Sequence, residues 1–287
     1  MVCCALGAAS CTGDDGEDIP KYIAIDATIE QGMTRAVTNG NSMTFEPGDR
    51  LSLYVWTSAS YAVNTEHMIV NGVVNTLADN GTWTPESQML WADIQSRHYF
   101  LGIYPERTVT DFEADPYRLT GNYETDDLLA GSDLTGMTPV SNKVGLVFDH
   151  LMAKLRVNLI FRNEFEGNIA GATVTCQAAD GCTINYLSRN CTPGEPARVA
   201  LSSVTPVQGY DQTWQGIMIP QEGFRQITVT IEGKNFTYTH PTDIPLMRGN
   251  ITTASLIIGR NLIELGSVKI DGWESEYNLD GDAERIL

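Results

Sequence analysis

A strict two-residue alternation of apolar and polar side chains recurs along this chain, and it constrains the fold more than any other feature. Over residues 21–30, Ile23, Ile25, Ala27 and Ile29 point one way while Ala24, Asp26, Thr28 and Glu30 point the other. That period belongs to a half-buried β-strand and not to a helix, whose apolar positions recur every three or four residues. Over residues 154–161 it returns, with Leu155, Val157, Leu159 and Phe161 on one face against Arg156, Asn158 and Ile160. Strand-like runs also occur at 51–56, 67–74, 98–103, 144–148, 172–176, 213–219, 226–232, 236–240, 251–258 and 268–270. Turn-forming pieces such as Pro47-Gly48-Asp49 and Asn80-Gly81 separate them,. Glu232-Gly233-Lys234-Asn235 lies between two alternating runs and signals a hairpin,. The expected class is therefore all-β. The number and spacing of strands fit sandwiches, and no fixed-period repeat suggests a propeller or solenoid.

With 287 residues, of which 42% are hydrophobic and 19% charged, the chain can bury two cores of ordinary size,. Between 111 and 142 the pattern loosens into Asp, Gly, Pro, Ser and Thr, with a short helix expected over 123–129. We therefore expect a leader and acidic linker at 1–20, an N-terminal sandwich domain at 21–143 and a C-terminal one at 144–287. Acidic residues number 36 against 18 basic ones, and a net charge of -18 repels phosphate backbones, so nucleic acid is not an expected partner,. No window holds the roughly 18 apolar residues of a membrane-spanning helix.

The extreme N-terminus has its own logic. Small apolar residues run from Val2 to Ala9 and end in Ala8-Ala9-Ser10-Cys11, after which Asp14, Asp15, Glu17 and Asp18 follow at once. This resembles a bacterial lipoprotein signal, which implies lipidation of Cys11, and the acidic run resembles the surface-export tag of Bacteroidetes lipoproteins. The expected location is the outer membrane at the cell surface, each buried acyl methylene contributing roughly 0.8 kcal/mol. No Lys or Arg precedes the apolar stretch, so a translation start upstream of Met1 is expected,. Cys3 and Cys4 would leave with the leader, and the body keeps Cys176, Cys182 and Cys191. A bridge between Cys176 and Cys182 and three free buried thiols are both open readings at this point.

Several segments taken in order resemble the fimbrillin family of Bacteroidetes, the subunits of type V pili. They are Met33-Thr34-Arg35-Ala36, Phe45-Glu46-Pro47-Gly48-Asp49, Tyr99-Phe100-Leu101-Gly102-Ile103-Tyr104-Pro105, and the long Val147-Phe148-Asp149-His150-Leu151-Met152-Ala153-Lys154-Leu155-Arg156-Val157. Trp214 to Pro220 and Lys269 to Trp273 complete the match. The resemblance implies two transthyretin-like β-sandwich domains in tandem, export as a lipoprotein, and a structural role in a surface fimbria that serves adhesion. It further implies cleavage by an arginine-specific protease at Arg35, before Ala36, and loss of the first strand with Ile23, Ile25, Ala27 and Ile29. A strand from another fimbrillin subunit then fills the vacated groove by β-strand addition. The segment after Trp273 has no clean alternation that would make a donor strand, which points to a minor, tip or anchor subunit. The alternative is a non-polymerising surface lipoprotein that binds a glycan or host protein, and a host or bacterial surface ligand is an expected partner on either reading.

Catalytic, metal and cofactor sites are not expected. Asp111, Glu113 and Asp115 imitate the start of a calcium loop, but Pro116 stands where the glycine belongs and Asn122 where the closing glutamate belongs,. His67, His98, His150 and His240 lack metal-ligand spacing, and neither a nucleophile elbow nor a phosphate-binding loop is present,. Trp56, Trp83, Trp91, Trp214 and Trp273 are expected in the core rather than in a sugar-stacking platform.

Overall fold

The computed structural model of the chain describes residues 21–30, 44–140, 143–260 and 262–272. The expected all-β class of packed sheets is what the chain adopts: nineteen strands, one short helix and two 3₁₀ turns among the described residues. In chain order the first strands are β1 (Ile25–Ile29), β2 (Arg50–Thr57), β3 (Met68–Leu77), β4 (Trp83–Pro85), β5 (His98–Tyr104), β6 (Asp115–Arg118), β7 (Leu129–Met137) and β8 (Val144–His150). All but β6 join one seven-stranded sheet in the order β1-β8-β7-β5-β2-β3-β4.

This sheet is buried on both faces at its centre, which explains why β2 reads as a continuous apolar run. Leu51, Leu53 and Val55 enter one core, while Tyr54 and Trp56 enter another on the opposite face. The first of these cores is built almost wholly from strands of the same sheet, so the sheet rolls until its two ends meet around it. Gly72, at φ +68, adds one residue to β3 opposite the Leu53–Tyr54 step, and such a bulge bends the strand and increases its twist,.

The later strands are β9 (Ala153–Phe161), β10 (Thr173–Ala179), β11 (Gly181–Asn185), β12 (Asn190–Pro193), β13 (Pro196–Ala200), β14 (Ser202–Val204), β15 (Gln212–Met218), β16 (Gln226–Ile231), β17 (Lys234–Thr239), β18 (Asn250–Ile258) and β19 (Ile263–Gly272). A four-stranded sheet β13-β10-β16-β17 faces a five-stranded sheet β14-β15-β9-β18-β19. Between them lie the alternating side chains foreseen for β9 and β16, with Leu155, Val157 and Leu159 meeting Ile227, Val229 and Ile231. The other face of β9 is not solvent-exposed as simple alternation predicts: Lys154, Arg156 and Asn158 are buried as well.

Two features tie the halves together. Strand β8, with which the second half was expected to begin, is hydrogen-bonded between β1 and β7 in the first sheet. Only Leu151 and Met152, both fully buried, separate it from β9. In addition, β6 from the first half pairs with β11 from the second in a three-stranded sheet β12-β11-β6. Its Cys182, Ile184 and neighbouring Tyr186 pack against Tyr54, Trp56 and Leu101, so the two halves share a core. The loosened stretch at 111–142 thus hides two strands, β6 and β7, beside the expected helix, which is a single turn (Tyr123–Asp126).

Candidate functional site

The first strand carries the geometry with the clearest functional meaning. β1 runs parallel to β8 in the register Ile25 to Val144, Ala27 to Leu146 and Ile29 to Phe148. Hydrogen bonds close both ends of the ladder: Val144 N donates to Ala24 O at 2.7 Å and Glu30 N to Phe148 O at 2.7 Å. β1 stands at the sheet edge, and among the described residues no strand pairs with its other side over Ile25–Ile29.

Just before β1 the chain bridges to the far end of the rolled sheet. Ile23 N donates to Met89 O at 2.9 Å, Trp91 N to Lys21 O at 3.3 Å, and the Trp91 indole N–H to Tyr22 O at 3.2 Å. The segment 21–30 therefore works as a strap across the mouth of the roll. Its inward side chains are those singled out from the sequence. Ile23 is 3% exposed, Ile25 1% and Ala27 8%, while Ile29 is half-buried. They meet Trp83, Met89, Trp91, Val144, Leu146 and Phe148 in one cluster. Burying the two isoleucines fully contributes about 3–6 kcal/mol. Asp26, Thr28 and Glu30 face solvent.

Cys11, Arg35 and Ala36 lie outside the described residues, as does the chain after Gly272. The structure does not bring Cys176 and Cys182 together. Cys176 is buried between the four- and five-stranded sheets, whereas Cys182 belongs to the shared core. Desolvation pushes the Cys176 thiol up to about 12, so it is an inert core group,. The Cys182 thiol contacts Cys191, a partner that sequence reasoning missed because the hairpin β11–β12 is too short and polar to read as strands.

The other candidates resolve as structural groups. Asp111 Oδ1 accepts the N–H groups of Glu113 and Ala114, and the Asp115 carboxylate accepts from the Tyr186 hydroxyl at 3.0 Å and pairs with Arg107 at 2.8 Å. Among the described residues no three His, Cys, Asp or Glu side chains are grouped to hold a metal. Trp56, Trp83, Trp91 and Trp214 are buried as expected, and Trp273 lies outside the described residues.

A cavity of about 510 Å³ opens between Tyr61, Leu134, Leu187, Arg189 and Arg248. Arg189 sits at φ 58 in the β11–β12 turn, pairs with Asp149, and donates from Nη2 to Ser132 Oγ at 3.3 Å. Arg248 Nη1 donates to the Arg189 carbonyl at 2.8 Å.

Fold and site together define an all-β protein of packed sheets whose first strand, lodged in its own core, is laddered along one edge only among the described residues. The chain belongs to the fimbrillin-like family, whose model matches residues 34–273. It is 25% identical over 189 residues to the candidate fimbrium subunit Fim1C of Bacteroides uniformis, a match spanning 61% of this chain and 60% of that relative. Two crystal structures share its fold. A candidate cell-adhesion protein from Bacteroides uniformis has a TM-score of 0.64 at 21% identity, covering 91% of this chain and 100% of that one. A second, from Bacteroides ovatus, has a TM-score of 0.66 at 14% identity, covering 88% and 98%.

Proposed function

We propose that this chain is a structural, non-enzymatic subunit of a surface fimbria, exported as a lipoprotein through Cys11 to the outer membrane and assembled by β-strand exchange in the service of adhesion. The observation that carries this reading is the strap at 21–30: its alternate side chains fill one apolar trough, and among the described residues its strand β1 is laddered to β8 alone. Cleavage between Arg35 and Ala36 would detach it, exposing apolar surface and the free edge of β8, and a strand from another subunit of matching alternation would restore both. The family model begins at residue 34, immediately beyond the strap, which accords with a mature subunit lacking it. On this reading the subunit has two sandwich units, and the first keeps β8, because β8 is the rail on which the donor strand is laid.

A second reading, a surface lipoprotein that binds a glycan or host protein without polymerising, draws support from the arginine-lined cavity. One experiment separates the two. The purified protein is treated with an arginine-specific protease and followed by mass spectrometry and size-exclusion chromatography. Cleavage after Arg35 followed by growth into oligomers supports strand exchange. A protein that resists cleavage and stays monomeric rejects that mechanism and leaves the binding lipoprotein.

A further inference from the structure

We infer that Cys182 and Cys191 form an intramolecular disulfide across the β11–β12 hairpin, leaving Cys176 as the free thiol of the protein body. The register places Cys182 opposite Pro193 and Ile184 opposite Cys191, so the two cysteines lie on one face of the hairpin in diagonal positions,. Both join the core shared by the two halves, Cys182 buried within it and Cys191 half-buried at its margin. The two thiols interact with each other, and the Cys191 thiol donates to the Leu151 carbonyl at 3.6 Å. The bond would join two strands that the ladder already holds side by side. Cys176, on β10, faces the separate core between the outer sheets and offers no competing partner.

The two thiols are chemically unequal, which gives the oxidation an order. The hydrogen bond from Cys182, helped by the Arg248 guanidinium, lowers the Cys191 thiol against the opposing effect of burial, while the Cys182 thiol is raised. Cys191 is thus the nucleophile. Its thiolate attacks one sulfur of an oxidant of the disulfide class, expelling a thiolate and forming a mixed disulfide. Cys182 then gives up its proton, attacks the Cys191 sulfur, and expels the second thiolate. Two electrons and two protons pass to the oxidant, which leaves as two thiols. The bond closes the turn that carries Leu187 and Arg189, so it also fixes one wall of the arginine-lined cavity.

The test is peptide mapping of the full chain after incubation with oxidised glutathione, denaturation and alkylation. The expected result is a Cys182–Cys191 cross-linked peptide about 2 Da lighter than its two thiol forms, with Cys176 alkylated. The Cys176→Ser variant keeps the cross-link, and Cys182→Ser and Cys191→Ser each leave the remaining partner alkylated. Alkylation of all three body cysteines, or a bridge that includes Cys176, overturns the assignment. Because the chemistry is read on the isolated chain, failure here is independent of any failure of strand exchange.

Discussion

The ring of Phe148 occupies the space that a side chain at Gly102 would need: a Cβ built there would stand 2.5 Å from Phe148 Cζ. Gly131, paired directly with Gly102 across β5 and β7, would meet the same ring at 2.6 Å. The two glycines form a slot into which β8 lays its phenyl ring, and Phe148 is also the residue opposite Ile29 at the end of the β1 ladder. We expect Gly102→Ala to destabilise the protein by about 1–3 kcal/mol through overpacking, and the added change Phe148→Leu to recover part of that loss. Chemical denaturation of the two variants measures both.

The strap makes a second prediction. Ile25→Ala removes a fully buried side chain and should cost about 2–5 kcal/mol. Because β1 is an edge strand, the effect should appear first as local opening. Hydrogen exchange at residues 23–29 should accelerate before exchange at β2 or β5 does. Uniform acceleration across the sheet would show that the strap cannot open by itself.

A third concerns the passage between the halves. His150 Nδ1 and Asp127 Oδ1 lie 2.7 Å apart, both residues buried, beside the Leu151–Met152 junction. Asp127→Ala deprives a buried imidazole of a partner and should lower stability by about 1–3 kcal/mol. A double-mutant cycle with His150→Ala should return a coupling energy above about 0.5 kcal/mol, while additive losses would show that the contact contributes nothing.

Acidification should act in two windows. His98 is fully buried, its Nε2 accepts the Ala92 N–H at 3.1 Å, and desolvation lowers its pKa. The unfolded chain therefore takes up this proton first, so stability falls as pH drops below the ordinary histidine value of about 6.5. Asp93, hydrogen-bonded by the Ser96 hydroxyl and the Ser96 and Gln95 N–H groups, is held at about 2. Its contribution is present above about 4 and is lost only as pH falls from there towards 2. Denaturation midpoints at pH 7.5, 5.5 and 3.5 should show His98→Gln flattening the upper step alone.

Local chemistry decided a good deal of this protein. The alternation of Ile23, Ile25, Ala27 and Ile29 requires only that one face be buried, so the strand and its inward residues were legible before any partner was known. The hairpin over Gly233 and the strands β9, β15, β16 and β18 were legible for the same reason. Tertiary structure decided the rest, because pairing between distant strands leaves little trace in a single sequence. Strands β6, β11 and β12 are only four or five residues long and largely polar, and each exists because the others supply its hydrogen bonds. The allegiance of β8 to the first sheet depends on β1 and on the slot that Gly102, distant along the chain, forms with Gly131 of the neighbouring β7. The cysteines show the contrast most sharply: the sequence left a Cys176–Cys182 bridge and three free thiols both open, but the hairpin register sets Cys182 and Cys191 diagonally on one face and Cys176 is buried in a different core.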